Sequence, residues 1–372
     1  MKARLVDSLE GWTRGPAAGS PRVVGVLAGE GIGPEVVGVA LDVLGSLAQA
    51  TGEAFDIRRG GPIGSESQRL TGKSLNDEAA RFCEEVFAAG GALFCGPGGA
   101  RFVYDLRKRF DLYCKFTPLV PSPHLEDAGP LRPERLRGVD IVAVRENVGG
   151  LYFGEGGEER DGEGRRTAFQ RFAYREDQVA RILAVAARLA QSRRGSLAVV
   201  VKREGVPAVS ELWLDCVERL RAAAPVGIEV LDIDNAVYQL IARAARFDVI
   251  VSSNMFGDVL ADCGALLLGS RGLSYSGNFG EAGRAVYQTG HGAAYDIAGT
   301  GKANPAGQIL SAAMMLEESF GWFEGARCVR KSLATVLGRG IRTTDIAGTG
   351  HRVVGTKEFG AAVCDAIRLH WE

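Results

Sequence analysis

The sequence has no surplus of either charge: 44 lysines and arginines face 45 aspartates and glutamates over 372 residues, a formal net charge of −1. Without a global positive field there is no electrostatic reason to expect nucleic acid or an anionic membrane surface as a partner. Nor does the chain contain a C-x-x-C pair. Its seven cysteines (Cys83, Cys95, Cys114, Cys216, Cys263, Cys328 and Cys364) are scattered singly, as expected for reduced thiols in a cytoplasm and not for a disulfide framework or a zinc site. No apolar run approaches the ~18 residues that cross a bilayer, and the first twenty residues lack the unbroken apolar core of a signal peptide. Residues 1–20 therefore read as a loose N-terminal extension ahead of a cytoplasmic protein.

Two nucleotide-binding fingerprints also fall short. Thr71–Ser74 reads TGKS like the end of a P-loop, but Ser67 stands where the first glycine is needed. Gly29–Gly33 reads GEGIG, whose glycine spacing misses the third glycine of the dinucleotide motif. It remains either a ligand cradle at a helix N-terminus or simply a tight turn.

What the chain has in excess is glycine, 51 residues, about twice the usual ~7% share. With no repeat to explain it, this points to many tight turns and close backbone approaches. Hydrophobic residues at 46% and charged residues at 24% exclude collagen-like, wholly disordered and membrane-spanning chains. The length suits two domains, or one large α/β unit with an insertion.

From Arg22 the pattern alternates between apolar strands (RVVGVL, GALFCG, GVDIVAVRE, SLAVVVKRE, FDVIVSSN) and segments with helical apolar spacing, which predicts an α/β fold with largely parallel pairing. Residues 119–138 carry four prolines and read as an excursion at a domain boundary. Residues 154–168 are polar and glycine-rich, consistent with either a projecting arm or a plain surface loop.

The strongest local chemical signal is NMFGDVLADCG, directly after the strand FDVIVSSN. Asp258 and Asp262 stand four apart, so a helix starting near Gly257 puts both on one face. Paired carboxylates at a strand's C-terminal edge suit a hard cation such as Mg²⁺ or Mn²⁺. Asp258 as a helix cap and Asp262 as a solvated acid is the competing reading. Asp234, closing the strand-like IEVLDID, is a further carboxylate that can join them. Downstream, His291, Asp296 and Asn304 lie in a glycine-rich loop ahead of an apolar helix beginning near Pro305, a pattern able to hold a nucleotide.

Taken in order, GEGIGPEVV, LRKRFDLY, VRENVGGLYFG, Lys202, IDNAVYQL, NMFGDVLAD and HGAAYDIAGTGKANP resemble the metal-dependent β-decarboxylating dehydrogenases of 2-hydroxy acids, the family of isocitrate, homoisocitrate, tartrate and 3-isopropylmalate dehydrogenases. The resemblance runs from about Arg22 to the C-terminus. It implies an α/β, two-domain isopropylmalate dehydrogenase-like fold with an inter-domain cleft: a discontinuous cofactor domain (21–112 and 269–372) and a central domain (113–268) with an arm at about 154–175. It also implies a homodimer with shared active sites, acting on a small 2-hydroxy acid with NAD and Mg²⁺ or Mn²⁺. By the same match Tyr152 is the acid and Lys202 the base, Asp258, Asp262 and a neighbouring subunit's Asp234 hold the metal, and Arg107 and Arg145 grip the malate carboxylates. His291, Gly292, Ala293, Asp296 and Asn304 form the cofactor loop. An acid at Asp296 repels a 2′-phosphate and favours NAD over NADP.

The chain departs from the family pattern near the substrate. LRKRFDLYCKFTP has Lys115 in place of an asparagine and Thr117 in place of a third arginine, Glu204 replaces an asparagine after the lysine, and Glu30 replaces the aspartate of GDGIG. Lys115 is a candidate to restore the lost charge, and Arg101 and Tyr104 lie in the stretch that reads the substrate's side chain. These changes predict a specialised 3-substituted malate. A catalytically weak regulatory subunit and dehydrogenation without decarboxylation are the alternatives.

Overall fold

The computed structural model describes residues 3–12 and 21–371. Strands β1 (Arg22–Leu27), β2 (Phe55–Arg59), β3 (Ala92–Cys95), β4 (Cys114–Leu119), β5 (Ile141–Glu146), β6 (Gly156–Arg160), β7 (Arg166–Gln170), β8 (Ser196–Val201), β9 (Gly227–Asp232), β10 (Val249–Ser252), β11 (Tyr275–Phe279) and β12 (Ala285–Thr289) alternate with eleven helices. The helices are α1 (Gly33–Thr51), α2 (Gly64–Thr71), α3 (Asp77–Ala88), α4 (Phe102–Arg109), α5 (Glu176–Gln191), α6 (Pro207–Ala223), α7 (Ile233–Ala242), α8 (Asn254–Gly264), α9 (Ala306–Glu318), α10 (Phe323–Gly338) and α11 (Thr356–Trp371).

Ten strands form one sheet in the order β2-β1-β3-β12-β11-β4-β5-β10-β8-β9. The first five come from residues 22–95 and 275–289, the other five from 114–252, so both ends of the chain build one flank. At the seam the pairs β12–β11, β11–β4 and β4–β5 are antiparallel, while every other pair is parallel. Helices cover both faces, as fully buried strands such as β3 and β5 require. Local chemistry sets the helix ends: Asn76 accepts the N–H of Ala79 and starts α3, and Gly52, left-handed at φ 73°, stops α1.

Residues 3–12 correct the expected looseness of the N-terminal stretch; residues 1, 2 and 13–20 of that stretch lie outside the described residues. Val6 and Leu9 are buried in the main core. The Val6 N–H donates to the Glu318 carboxylate at 3.0 Å, and Arg188 Nε donates to the Ser8 carbonyl at 2.7 Å. A short apolar segment with two buried anchors docks because its removal from water outweighs its ordering. Residues 154–171 are a two-stranded antiparallel hairpin, β6–β7, whose ten strand residues are all exposed.

Candidate active site

Strand register builds the site. Lys115 on β4 lies between its pairing partners Arg145 on β5 and Asn278 on β11, so all three side chains leave the same face of the sheet. Sequence spacing alone did not reveal this adjacency, because the pairing is antiparallel and the residues are 30 and more apart. Helix α8 begins at Asn254 with Ser253 before it, three residues earlier than expected. Asp258 therefore sits within the helix and does not cap it.

Asp258 is the hub. Its Oδ1 accepts from Arg145 Nη1, and its Oδ2 accepts from the Tyr152 hydroxyl at 3.0 Å. Burial works against its charge, but Arg145, Lys115, the Tyr152 hydrogen bond and Arg107 outweigh that and hold the carboxyl below its ordinary range. Tyr152 is affected the opposite way: burial and the facing Asp258 push its phenol up to about 12. It is presented on a short 3₁₀ turn, Leu151–Phe153, entered through Gly150 at φ 73°, where an added Cβ would come within 2.6 Å of the Tyr174 hydroxyl.

Around this hub stand three buried cations. Arg145 is fixed by Asn254, whose Oδ1 accepts from Nε at 2.9 Å and Nη2 at 2.7 Å. Asn254 Nδ2 donates in turn to the Gly149 carbonyl, and its backbone N–H to the Tyr174 hydroxyl. Arg107 and Lys115 are only 5% and 6% exposed, and neither side chain donates a hydrogen bond to any described residue. Burial, reinforced by Arg145, brings Arg107 down to about 9; burial with Arg145 and Arg107 depresses Lys115 strongly. Buried cations are normally paired, so an anion bound here would complete their pairing. From α4, Tyr104 packs edge-on against Tyr152 at 5.4 Å, and Arg101 donates to the Tyr152 carbonyl at 3.0 Å.

Asp262, one turn after Asp258, accepts both contacts from Arg271 Nη2, at 3.0 and 2.9 Å. Lys202 and Asp234 form a separate pair, 2.7 Å apart, at the C-terminal ends of β8 and β9, and hydrogen bonding to Asp234 raises the Lys202 pKa. No described group of three His, Cys, Asp or Glu residues forms a metal cluster within one chain. Asp258 and Asp262 offer hard oxygen donors on one helix face, a partial set that fits a divalent cation only if a further ligand comes from outside this cluster.

The loop between β12 and α9 carries the candidate cofactor residues. It docks on the GEGIG turn: Ile32 N–H donates to the Ala293 carbonyl at 2.8 Å, and Gly31, at φ 60°, has room for no Cβ because Ala293 O would lie 2.0 Å from it. His291 is half-buried beside Gly292, and desolvation lowers its pKa. Gly292 and Asp296 are exposed, whereas Asn304 is buried, accepts the Ala306 N–H at the start of α9 and donates to Asp345. These features fit a dinucleotide: a glycine-rich turn at a helix N-terminus beside an exposed carboxylate.

Sequence reasoning assigned no role to Asn254, and it noted Glu30 only as a departure from the family pattern. The Glu30 carboxylate accepts the N–H groups of Glu66 and Gly99 at 2.6 Å and the Tyr295 hydroxyl at 3.0 Å, joining three loops. The only available signal for either residue was its place inside a quoted motif.

An α/β fold that gathers paired carboxylates, buried cations and a glycine-rich loop agrees with the class its relatives define, the decarboxylating dehydrogenases acting on a CH–OH group. Comparison with known proteins narrows this class. The profile of the isocitrate/isopropylmalate dehydrogenase family matches residues 23–363, and the chain belongs to that family. It is 36% identical over 357 residues to 3-isopropylmalate dehydrogenase of Geobacillus kaustophilus (92% of this chain, 95% of the relative). It is 37% identical over 362 residues to the enzyme of that name from Burkholderia thailandensis (92% of this chain, 99% of the relative). The crystal structure of isocitrate dehydrogenase from Methylococcus capsulatus superposes with a TM-score of 0.81 at 27% identity, covering 93% of this chain and 99% of that one. The family works with a dinucleotide and a divalent metal on small molecules.

Proposed function

We infer that the protein oxidises and decarboxylates a 3-substituted malate, using NAD and Mg²⁺ or Mn²⁺, as a cytoplasmic homodimer with shared active sites. The observation that carries this reading is the pair of buried cations, Arg107 and Lys115, whose side chains make no hydrogen bond among the described residues, beside the Arg145–Asp258–Tyr152 cluster. A malate core brings two carboxylates, which satisfies an excess of positive charge that a neutral substrate leaves costly.

Asp258, Asp262 and the partner subunit's Asp234 would hold the divalent cation, which would supply Lewis-acid polarisation at the C2 oxygen, and NAD seated on the loop after β12 would supply the hydride acceptor. Arg107, Arg145 and Lys115 orient the substrate carboxylates, with Arg145 locked in place by Asn254. Tyr152, protonated at all physiological pH values because of its raised pKa, returns a proton to the carbon that CO₂ leaves. Lys202 takes the hydroxyl proton. In the isolated chain Asp234 holds the Lys202 ammonium charged, so Lys202 becomes a base only when Asp234 is engaged elsewhere. His291, Gly292, Ala293, Asp296 and Asn304 cradle the nucleotide, and the exposed Asp296 disfavours a 2′-phosphate.

Support for the cytoplasm comes from seven free cysteines, six of them buried, and no described helix is long and apolar enough to cross a membrane. The exposed β6–β7 hairpin supports an arm that reaches a second subunit.

The test is NADH formation and CO₂ release by the purified protein with NAD, Mg²⁺ or Mn²⁺ and a panel of 3-substituted malates. Both products are expected in equal amounts. NADH without CO₂ would leave simple dehydrogenation, and no NADH with any malate would favour the regulatory-subunit reading.

A further inference from the structure

Behind the buried cations, on the far face of the same strands, lies a second concavity. Pro118, Val142 and Tyr275 stand three residues along β4, β5 and β11 from Lys115, Arg145 and Asn278, and an odd step along a strand reverses the face. Two adjoining cavities lie there, of about 220 and 280 Å³, with Val120, Tyr275 and Arg330 in the walls of both. The smaller is otherwise largely aliphatic, lined by Leu125, Leu268, Leu273, Leu310, Leu333 and Leu337. Val120 is 47% exposed, so the shared wall reaches solvent.

The larger cavity holds the charges, and most of them are spoken for. Arg193 meets Asp140 at 2.9 Å and Asp248 at 2.7 Å, and Arg330 pairs with Glu317. Two groups are left over. Glu318, 3% exposed, accepts the Val6 N–H but forms no ion pair with a described cation. The Tyr275 hydroxyl bonds no described residue, and it lines the cavities together with Arg330, whose ion pair uses Nη2 and leaves other N–H groups for a further acceptor. A buried carboxyl without a cation and an enclosed phenol without an acceptor are each costly. One ligand answers all three features: an ammonium for Glu318, a carboxylate for Tyr275 and Arg330, and an apolar side chain for the leucine-lined cavity.

Part of the wall comes from the N-terminal segment. Ala3 and Leu5 line the larger cavity and precede the family profile, which begins at residue 23. Neither cavity shares a residue with the cluster around Asp258 or with the loop at 290–304. We propose that this pair of cavities binds a small aliphatic α-amino acid as its zwitterion. The proposal concerns a site apart from the substrate and cofactor residues and is tested by binding alone, so its failure leaves the dehydrogenase reading untouched.

The experiment is calorimetric titration of the full chain with 2-aminohexanoate, with hexanoate and pentylamine, which lack its ammonium and its carboxylate respectively, and with alanine, which lacks the aliphatic chain. It is run near pH 8, above the value of about 7 to which burial and Glu317 raise Glu318. Saturable binding of one 2-aminohexanoate per chain is expected, with each of the other three at least about tenfold weaker, the worth of one charge-assisted hydrogen bond or of the buried chain. Tyr275→Phe and Glu318→Gln should each weaken 2-aminohexanoate by about tenfold, Glu318→Gln should bring it level with hexanoate, and Leu337→Trp should abolish binding by filling the aliphatic cavity. No saturable heat with 2-aminohexanoate overturns the proposal. So does equal affinity for hexanoate or pentylamine, or binding that Tyr275→Phe and Leu337→Trp both leave unchanged. Tyr275→Phe removes a single oxygen that bonds no described residue, so it keeps the test valid should the tryptophan variant fail to fold, which circular dichroism checks.

Discussion

The hydroxyl of Tyr152 and the guanidinium of Arg145 hold opposite oxygens of one carboxylate, Asp258. The proposed proton donor and the proposed substrate-gripping cation are thereby set by a single residue, which the same mechanism uses as a metal ligand. Tyr152→Phe removes the donor without disturbing the ion pair. Its kcat is expected to fall by about 10²–10⁴-fold, the usual worth of a positioned general acid, with KM nearly unchanged. Because the phenol is raised to about 12, the wild-type kcat profile shows no limb from Tyr152 in the neutral range. Steady-state kinetics that put Tyr152→Phe within about threefold of wild type would remove this residue from the mechanism.

Lys115 is a buried cation whose side chain makes no hydrogen bond among the described residues, next to two guanidiniums and facing Asp258. Lys115→Met is expected to stabilise the ligand-free protein by on the order of 1–3 kcal/mol while weakening substrate binding. The unfolded chain keeps the lysine proton up to about pH 10.4, whereas the folded protein releases it earlier. Unfolding thus takes up a proton between those two values, and wild-type stability rises with pH there. Thermal melts across the alkaline range should show that slope flattened in the methionine variant; an identical slope would argue against it.

At the N-terminal segment the pH dependence has the opposite sign. Glu318 is fully buried, and burial first, then the neighbouring Glu317, raise its carboxyl to about 7 despite the backbone N–H of Val6. The folded protein therefore binds this proton more tightly than the unfolded chain, whose value is about 4.3. The stability involved is present in acid and lost as pH rises through about 7. Glu318→Gln should melt a few degrees above wild type near pH 8 and together with it at low pH. A gap that is the same at both pH values would rule out titration of Glu318.

Gly31 provides a direct probe of the cofactor loop. Alanine there meets both a left-handed backbone, about 1–2 kcal/mol on its own, and the Ala293 carbonyl 2.0 Å from its Cβ. Gly31→Ala is expected to raise the KM for NAD by at least about tenfold and to leave the KM for the malate nearly constant. A change confined to the malate KM would detach the loop at 290–304 from the cofactor.

Much of the fold was legible in the chain itself. Short continuous apolar runs and helical apolar spacing located the strands and helices because burial on both sheet faces and on one helix face imposes those patterns. The motifs also marked Asp258, Tyr152 and Lys202 as candidates for the chemistry. The start of α8 was misplaced by three residues because Ser253 and Asn254, not Gly257, meet the end of β10. The packing of residues 3–12 was invisible because its partners, Glu318 and Arg188, lie 312 and 180 residues away.

By itself the sequence determined the α/β class, the family and the residue types that carry the chemistry, since these follow from local periodicity, composition and ordered motifs. Only tertiary structure decided that Lys115 stands beside Arg145 and that Arg101 and Tyr104 face Tyr152 while Leu106 does not. Those relations depend on antiparallel register across β4–β5 and on which side of α4 meets the core. Strand register and helix rotation are chosen by long-range burial, which acts on the whole chain and leaves no signature in any single segment.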